Sequence, residues 1–307
     1  MHLSESAAGV FTVAVTPFLP DGTLDLDSVD RMTDFYVGKG ATGLTLLGVM
    51  GEAGKLSHAE SVALVRRVTQ RTRLPVIAGV SAPGFAAMQA LAVEAMEAGA
   101  AGVMVAPAAG LRSDDQILAY FQGVAETLGR IPWALQDFPL VTGVTIPAKV
   151  LLRIFEACPT CVMLKHEDWP GLEKISTLRR ASDEGARRIS ILCGNGGQFL
   201  PEEMERGADG AMTGFAFPEM MAEVVRLFRD AATERMHEVF SAYLPLLRYE
   251  NQPGLGLAVR KHILWSRGAI AHPTLRKPGT PLSTAAVAEI EALIARQTRR
   301  LAELGLA

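Results

Sequence analysis

The segment Cys161-Val162-Met163-Leu164-Lys165-His166-Glu167-Asp168 runs four apolar residues straight into a lysine and a polar cluster. A run of that kind reads as a strand buried on both faces, with its carboxyl end opening into a site. Burial disfavours the charged form of an amine, and an uncharged amine can attack a ketone to form a Schiff base. Lys165 is therefore a candidate nucleophile. The competing reading is a lysine that merely leaves a strand end and pairs with Glu167 or Asp168.

The flanking chain alternates between short apolar runs and amphipathic stretches. Strands are predicted at residues 10–18, 43–48, 75–80, 102–107, 133–137, 162–165, 189–193 and 211–213. Helices are predicted between them, with Ser57-x-x-Glu60 and Ser113-Asp114-Asp115 as N-terminal caps. Eight strands, each followed by a helix, call for an α/β TIM (β/α)8 barrel over residues 1–218. An open doubly wound sheet would want a glycine-rich phosphate turn after its first strand, which Val15-Thr16-Pro17-Phe18 does not supply. From 219 to 307 helical spacing continues without strands, which predicts a C-terminal helical extension.

In such a barrel, function sits at the carboxyl ends of the strands. Lys165 is the only lysine among those ends. Thr16, Gln136 and Thr213 close strands one, five and eight, and Gly194-Asn195-Gly196 follows strand seven. The Gly48-Val49-Met50-Gly51 turn brings backbone N–H groups to the same rim, where they could cradle a substrate carboxylate or serve only a tight turn. Thr16, Gly48, Val49, Met50, Gly194 and Thr213 are accordingly the candidate substrate-binding residues. The glycines at 194–197 could hold phosphate or be no more than a turn.

Composition removes several classes of function. The chain has 307 residues, 49% hydrophobic and 21% charged, with net charge −3. That composition suits a large soluble core and gives no basic surface for nucleic acid or anionic membrane. No apolar run reaches transmembrane length and the N-terminus lacks a signal pattern, so a cytoplasmic location is expected. The three cysteines, Cys158, Cys161 and Cys193, an odd count, argue against a disulfide framework. Cys158-Pro-Thr-Cys161 lacks a second pair, and His166-Glu167 lacks a second histidine at helical spacing, so no metal site is expected.

Thr16-Pro17, the block Gly48-x-x-Gly51-Glu52 with Ser57-x-x-Glu60, Pro75-Val-Ile-Ala-Gly79, Pro139-x-x-Thr142-Gly143 and Lys165 occur in an ordered series. Across nearly its whole length the chain resembles the dihydrodipicolinate synthase/N-acetylneuraminate lyase family. The resemblance implies a Schiff base between Lys165 and a 2-keto acid, the 48–51 turn at the keto-acid carboxylate, no cofactor, and a homotetramer. The chain departs from the family where two threonines would stand, at Val49 and Met50. It departs again at Gln136 and Ala109 in place of tyrosines, and at Val141 in place of an arginine. None of these side chains can exchange a proton near neutral pH.

Leu135-Gln136-Asp137-x-Pro139, the 210–214 segment with Phe217-Pro218, and Glu250-Asn251 make the chain similar to a branch of 2-keto-3-deoxy sugar acid dehydratases, such as L-2-keto-3-deoxyarabonate dehydratase. The expected activity is dehydration of such an acid. Lys165, Gln136 and Glu167 are the candidate catalytic residues, with Asp137 and Glu250 as further possible proton carriers. A pyruvate-dependent aldolase or synthase, and an inactive keto-acid-binding homologue, are the alternatives.

Overall fold

A computed structural model describes residues 2–306 of the protein. Eight parallel strands close into a barrel in chain order: β1 (Gly9–Val13), β2 (Gly43–Leu46), β3 (Val76–Gly79), β4 (Gly102–Val105), β5 (Trp133–Asp137), β6 (Cys161–His166), β7 (Ser190–Cys193) and β8 (Gly210–Ala211). The barrel is shut by pairing of β8 with β1, Gly210 opposite Gly9. Outside run α1 (Leu26–Gly38), α2 (His58–Arg71), α3 (Phe85–Glu97), α4 (Asp114–Leu128), the single turn α5 (Pro139–Thr142), α6 (Ala148–Ala157), α7 (Leu172–Asp183) and α8 (Leu200–Glu205). The TIM-barrel fold class is thus as expected.

Local chemistry sets several boundaries. Ser57 accepts from the Glu60 amide while the Glu60 side chain accepts from the Ser57 amide, a reciprocal cap that starts α2. Ser113 and Gln116 do the same for α4. β1 is shorter than its apolar run: ladder pairing ends near Val13, and the chain climbs to the rim, where Phe18 bridges Leu24. Pro17, without an N–H, cannot extend that ladder.

The strands bury two separate layers. Phe11, Val13, Ile77, Met104, Ala134, Met163 and Leu192 fill the interior, whereas Leu44, Leu46, Leu135, Leu164 and Ile191 pack against the helices. Side chains alternate faces along a strand. With Ala134 inside and Leu135 outside, Gln136 faces in and Asp137 out. With Met163 inside and Leu164 outside, Lys165 faces in, His166 out and Glu167 in again.

Four further helices complete the chain: α9 (Pro218–Arg229), α10 (Thr233–Glu250), α11 (Gly256–Ser266) and α12 (Thr284–Glu303). Helix α9, grouped by periodicity with the C-terminal helices, packs against β1 and α8 as well as α10. Helix α10 in turn packs on α11 and α12.

The C-terminal segment is tied to the rim by a buried knot at Glu52. Its Oε1 lies 2.5 Å from the Lys261 ammonium on α11, and its Oε2 accepts from Lys55 Nζ at 2.8 Å and the Arg276 amide at 3.0 Å. Lys261 also donates to the Thr274 carbonyl at 2.7 Å. Burial pushes its amine down to about 8 against the pull of Glu52. Glu52 and Leu47, which bracket the 48–51 turn, both hold left-handed backbones, at φ 54° and 57°. Non-glycine residues reach that region at a cost and stay only where surroundings fix them. Glu52 is fixed by its ion pairs. Leu47 is buried, with its carbonyl where a Cβ on Gly79 would come within 2.3 Å, so β3 has room for it only because residue 79 is glycine.

Removing one partner of a buried pair leaves an uncompensated charge, so Lys261→Met should cost about 3 kcal/mol of unfolding free energy. The double variant Glu52→Gln/Lys261→Met should recover part of that loss. Urea unfolding at neutral pH measures both; a single-variant loss within experimental error would contradict the role given to this knot.

Candidate active site

The register of the barrel brings Gln136 of β5 opposite Lys165 of β6, and Lys165 opposite Leu192 of β7. Two residues beyond Lys165, on the same face, Glu167 turns back toward it. The Lys165 Nζ lies 2.9 Å from Glu167 Oε1, and their side chains are only 5% and 6% exposed. Gln136 Nε2 donates to that same oxygen at 2.7 Å. Three sequence candidates thus form one buried cluster. The reading of Lys165 as a strand-end lysine paired with Glu167 is half right: the pair exists, but inside the barrel mouth.

Glu167 is seated from the β7 side. The Asn195 carboxamide donates to the Glu167 carbonyl at 2.9 Å, and the Asn195 amide points at Glu167 Oε2 at 3.4 Å. Gly194 faces the glutamate directly, since a Cβ there would lie 2.2 Å from Glu167 Cγ. Gly194, a candidate substrate-binding residue, stands against Glu167. Thr213 accepts from the Gly196 amide at 2.8 Å, and Gly197 N–H bonds the Gly194 carbonyl. The amides of 195–197 are therefore directed at partners within the protein, which favours the turn reading of this loop over a phosphate site.

Across the mouth, Val49 opens a single 3-10 turn, Val49–Gly51, after Gly48. The Thr16 hydroxyl donates to the Gly51 carbonyl at 2.5 Å and so pins the turn. Met50 packs over the interior layer, and Val49 is more than half exposed. Among the described residues the N–H groups of Val49 and Met50 meet no acceptor. The first amides of a helical turn have no partner within it, and these two are left to a ligand or to water.

The other proposed proton carriers lie elsewhere. Asp137 faces the helices, 2.8 Å from Lys174 Nζ, which also pairs with Asp168 at 2.5 Å. Burial raises the Asp137 carboxyl to about 6, with Lys174 opposing. Glu250 pairs with Arg260 at 2.6 Å and accepts from the Ala216 amide at 3.0 Å. Both expectations are corrected by geometry: strand alternation turns Asp137 outward, and Glu250 is consumed in bracing the segment after β8. All four tyrosines sit on helices, Tyr36 on α1, Tyr120 on α4, Tyr243 and Tyr249 on α10. Cys158 and Cys161 are free and buried, and burial pushes both thiols up, the mark of inert rather than redox-active sulfur. Among the described residues no three His, Cys, Asp or Glu side chains are grouped as metal ligands.

Sequence reasoning did not assign a role to Asn195, Lys174 or Lys261. The Lys165-x-Glu167 spacing carried the signal that both side chains share the interior face.

A family model described as the dihydrodipicolinate synthetase family matches residues 6–297. The chain is 28% identical to the L-2-keto-3-deoxyarabonate dehydratase of Azospirillum brasilense, over 94% of each chain. It is 34% identical to the 4-hydroxy-tetrahydrodipicolinate synthase of Sorangium cellulosum, over 72% of this chain and 73% of that one. A crystal structure of dihydrodipicolinate synthase from Rhodopseudomonas palustris superposes with a TM-score of 0.95 at 52% identity, over 96% of this chain and 99% of the other.

His166, between Lys165 and Glu167 but facing outward, sets its Nε2 3.1 Å from the Gly171 carbonyl. Burial, helped by the Lys174 cation, pushes its imidazole from 6.5 down to about 4. The folded protein then binds fewer protons than the unfolded chain between those values. The contribution of the neutral ring is complete above pH 6.5 and is lost as pH falls toward 4. Urea unfolding across this window should show stability falling on acidification, with a shallower slope in His166→Gln; equal slopes would refute the assignment.

Proposed function

Because the chain belongs to the dihydrodipicolinate synthetase family, we propose that it is a lysine Schiff-base lyase acting on a 2-keto acid, and that its reaction is dehydration of a 2-keto-3-deoxy sugar acid. The observation that carries the proposal is the Lys165 amine held 2.9 Å from the Glu167 carboxylate inside the mouth. A primary amine attacks a carbonyl only when uncharged, and a carboxylate at that distance can take its proton.

In the proposed cycle the amine of Lys165 adds to C2 of the substrate, and the carbinolamine loses water to give an iminium ion. The iminium acidifies the C3 protons. Glu167 removes one, and the electron pair forms an enamine. The enamine expels the C4 hydroxyl, which leaves as water with the proton returned by Glu167. Hydrolysis of the conjugated iminium frees Lys165, for a net loss of one water. Gln136, donating to Glu167, orients the carboxylate and cannot itself relay a proton. The N–H groups of Val49 and Met50, next to Gly48, would take the substrate carboxylate. Thr16 and Thr213 support this site from behind, through Gly51 and Gly196.

A second reading is an aldolase or synthase of the same family, favoured by the higher identity to proteins named as synthases. Aldol cleavage requires a base on the C4 hydroxyl, and no tyrosine of this chain lies on a strand to supply one. A keto-acid-binding protein without turnover is the remaining member of the set. The proposal also places the protein in the cytoplasm as a homotetramer. Leu140, Val141, Trp169 and Phe199 are exposed apolar side chains that subunit contacts would cover. The three free buried thiols suit a reducing compartment. No helix among the described residues is long and apolar enough to cross a membrane.

Borohydride reduction with a panel of 2-keto-3-deoxy acids, followed by mass spectrometry, should give a dehydrated adduct on Lys165. A pyruvate-sized adduct would instead identify the aldolase, and an intact-substrate adduct without product the binding protein. Lys165→Ala should abolish both adduct and turnover. Glu167→Gln should slow adduct formation, since an amide cannot take the Lys165 proton, while still giving the adduct on long incubation, with turnover reduced by about 10²–10⁴-fold, the range for loss of a general acid–base.

A further inference from the structure

We infer that Asn195 is the positioning residue for the Glu167 carboxylate, holding it from a left-handed backbone that few residue types accept. This rests on the proposed role of Glu167 as proton carrier. On β7, Leu192 faces the interior, so the next inward position is residue 194, level with Glu167. Any side chain there would displace the glutamate: a Cβ would come within 2.2 Å of its Cγ, 2.5 Å of its Cδ and 2.6 Å of Oε2. Gly194 thus vacates a seat.

Asn195 closes that seat. Its φ is 48°, a value that asparagine tolerates better than most residues. Glycine would reach it with less strain but would lack the carboxamide that bonds the Glu167 carbonyl. The conformation also aims the Asn195 N–H at Oε2. The two carboxylate oxygens are therefore unequal. Oε1 takes short bonds from both Lys165 and Gln136, whereas Oε2 has one long amide contact at 3.4 Å. The less engaged oxygen keeps lone pairs free and is the one on which a substrate proton would land.

Asn195 is itself held from behind. The next amide, Gly196, donates to Thr213 Oγ1 of the segment after β8. A Cβ on Gly196 would fall 2.1 Å from the Asn251 carboxamide, at the C-terminal cap of α10. Helix α10 therefore reaches Glu167 through two small links, residues 196 and 195.

Pyruvate serves as the probe, because borohydride trapping reports its Schiff base while loss of its methyl protons to D2O reports proton abstraction. In Asn195→Gly, which keeps the backbone accessible, the exchange rate by NMR should fall about 10–100-fold, the scale of an ångström-sized misplacement, with trapping within about twofold of wild type. The acid limb of the exchange–pH profile should also move, which a general loss of folded protein would not produce. Exchange within about twofold of wild type, or trapping and exchange falling in parallel, would overturn the role of Asn195 while leaving the Schiff base intact, on the same misplacement scale. Wild-type protein that yields no adduct would remove the Schiff-base reading and this role with it.

Discussion

The contact on which this site depends is the ion pair of Lys165 and Glu167, 2.9 Å apart within the barrel. Two charges taken out of water are costly, and they persist only where other groups satisfy what the pair leaves open. Gln136 supplies a donor to one oxygen, and Asn195 and Gly194 supply a bond and a seat for the other side. Below, an apolar interior layer from Phe11 to Leu192 withholds competing polar partners. The strand register that lines up Gln136, Lys165 and Leu192 is thus what permits the pair.

Much of the architecture was legible because local rules agreed with the barrel. β5 begins and ends where the sequence places it, at Trp133–Asp137, and Ser57 and Ser113 cap the helices that they precede. β1 ends short of its apolar run: residues 14–18 are as apolar as the strand, and only pairing with β2 and β8 shows where the ladder stops. Lys165 stood out as the one lysine at a strand end. The facing of Asp137 was readable in principle from two-residue alternation, but required fixing the phase of β5 against the helices. Lys261 and Arg260, which pair with Glu52 and Glu250, lie 209 and 10 residues away from them, on a helix whose placement follows from tertiary packing alone.

Members of one family can share the barrel and its lysine yet differ in the groups that move protons, because fold constrains position and not chemistry. The relatives named as synthases and the relative named as a dehydratase both match most of this chain. The polar groups bonded around Lys165 are few and local: an amide at 136 and a carboxylate at 167. Both belong to one buried cluster with the Lys165 amine, and overall identity does not report on so small a set.

The knot at Glu52 makes the C-terminal helices part of the rim. A truncation after α9 would strip Glu52 of the α11 cation and of the Arg276 amide, leaving Lys55 alone to hold a left-handed turn. The helical segment therefore cannot be swapped between barrels as an independent cassette. A graft that brought a foreign α11 would have to bring a lysine at the same depth, or accept a slack turn across the mouth from Lys165.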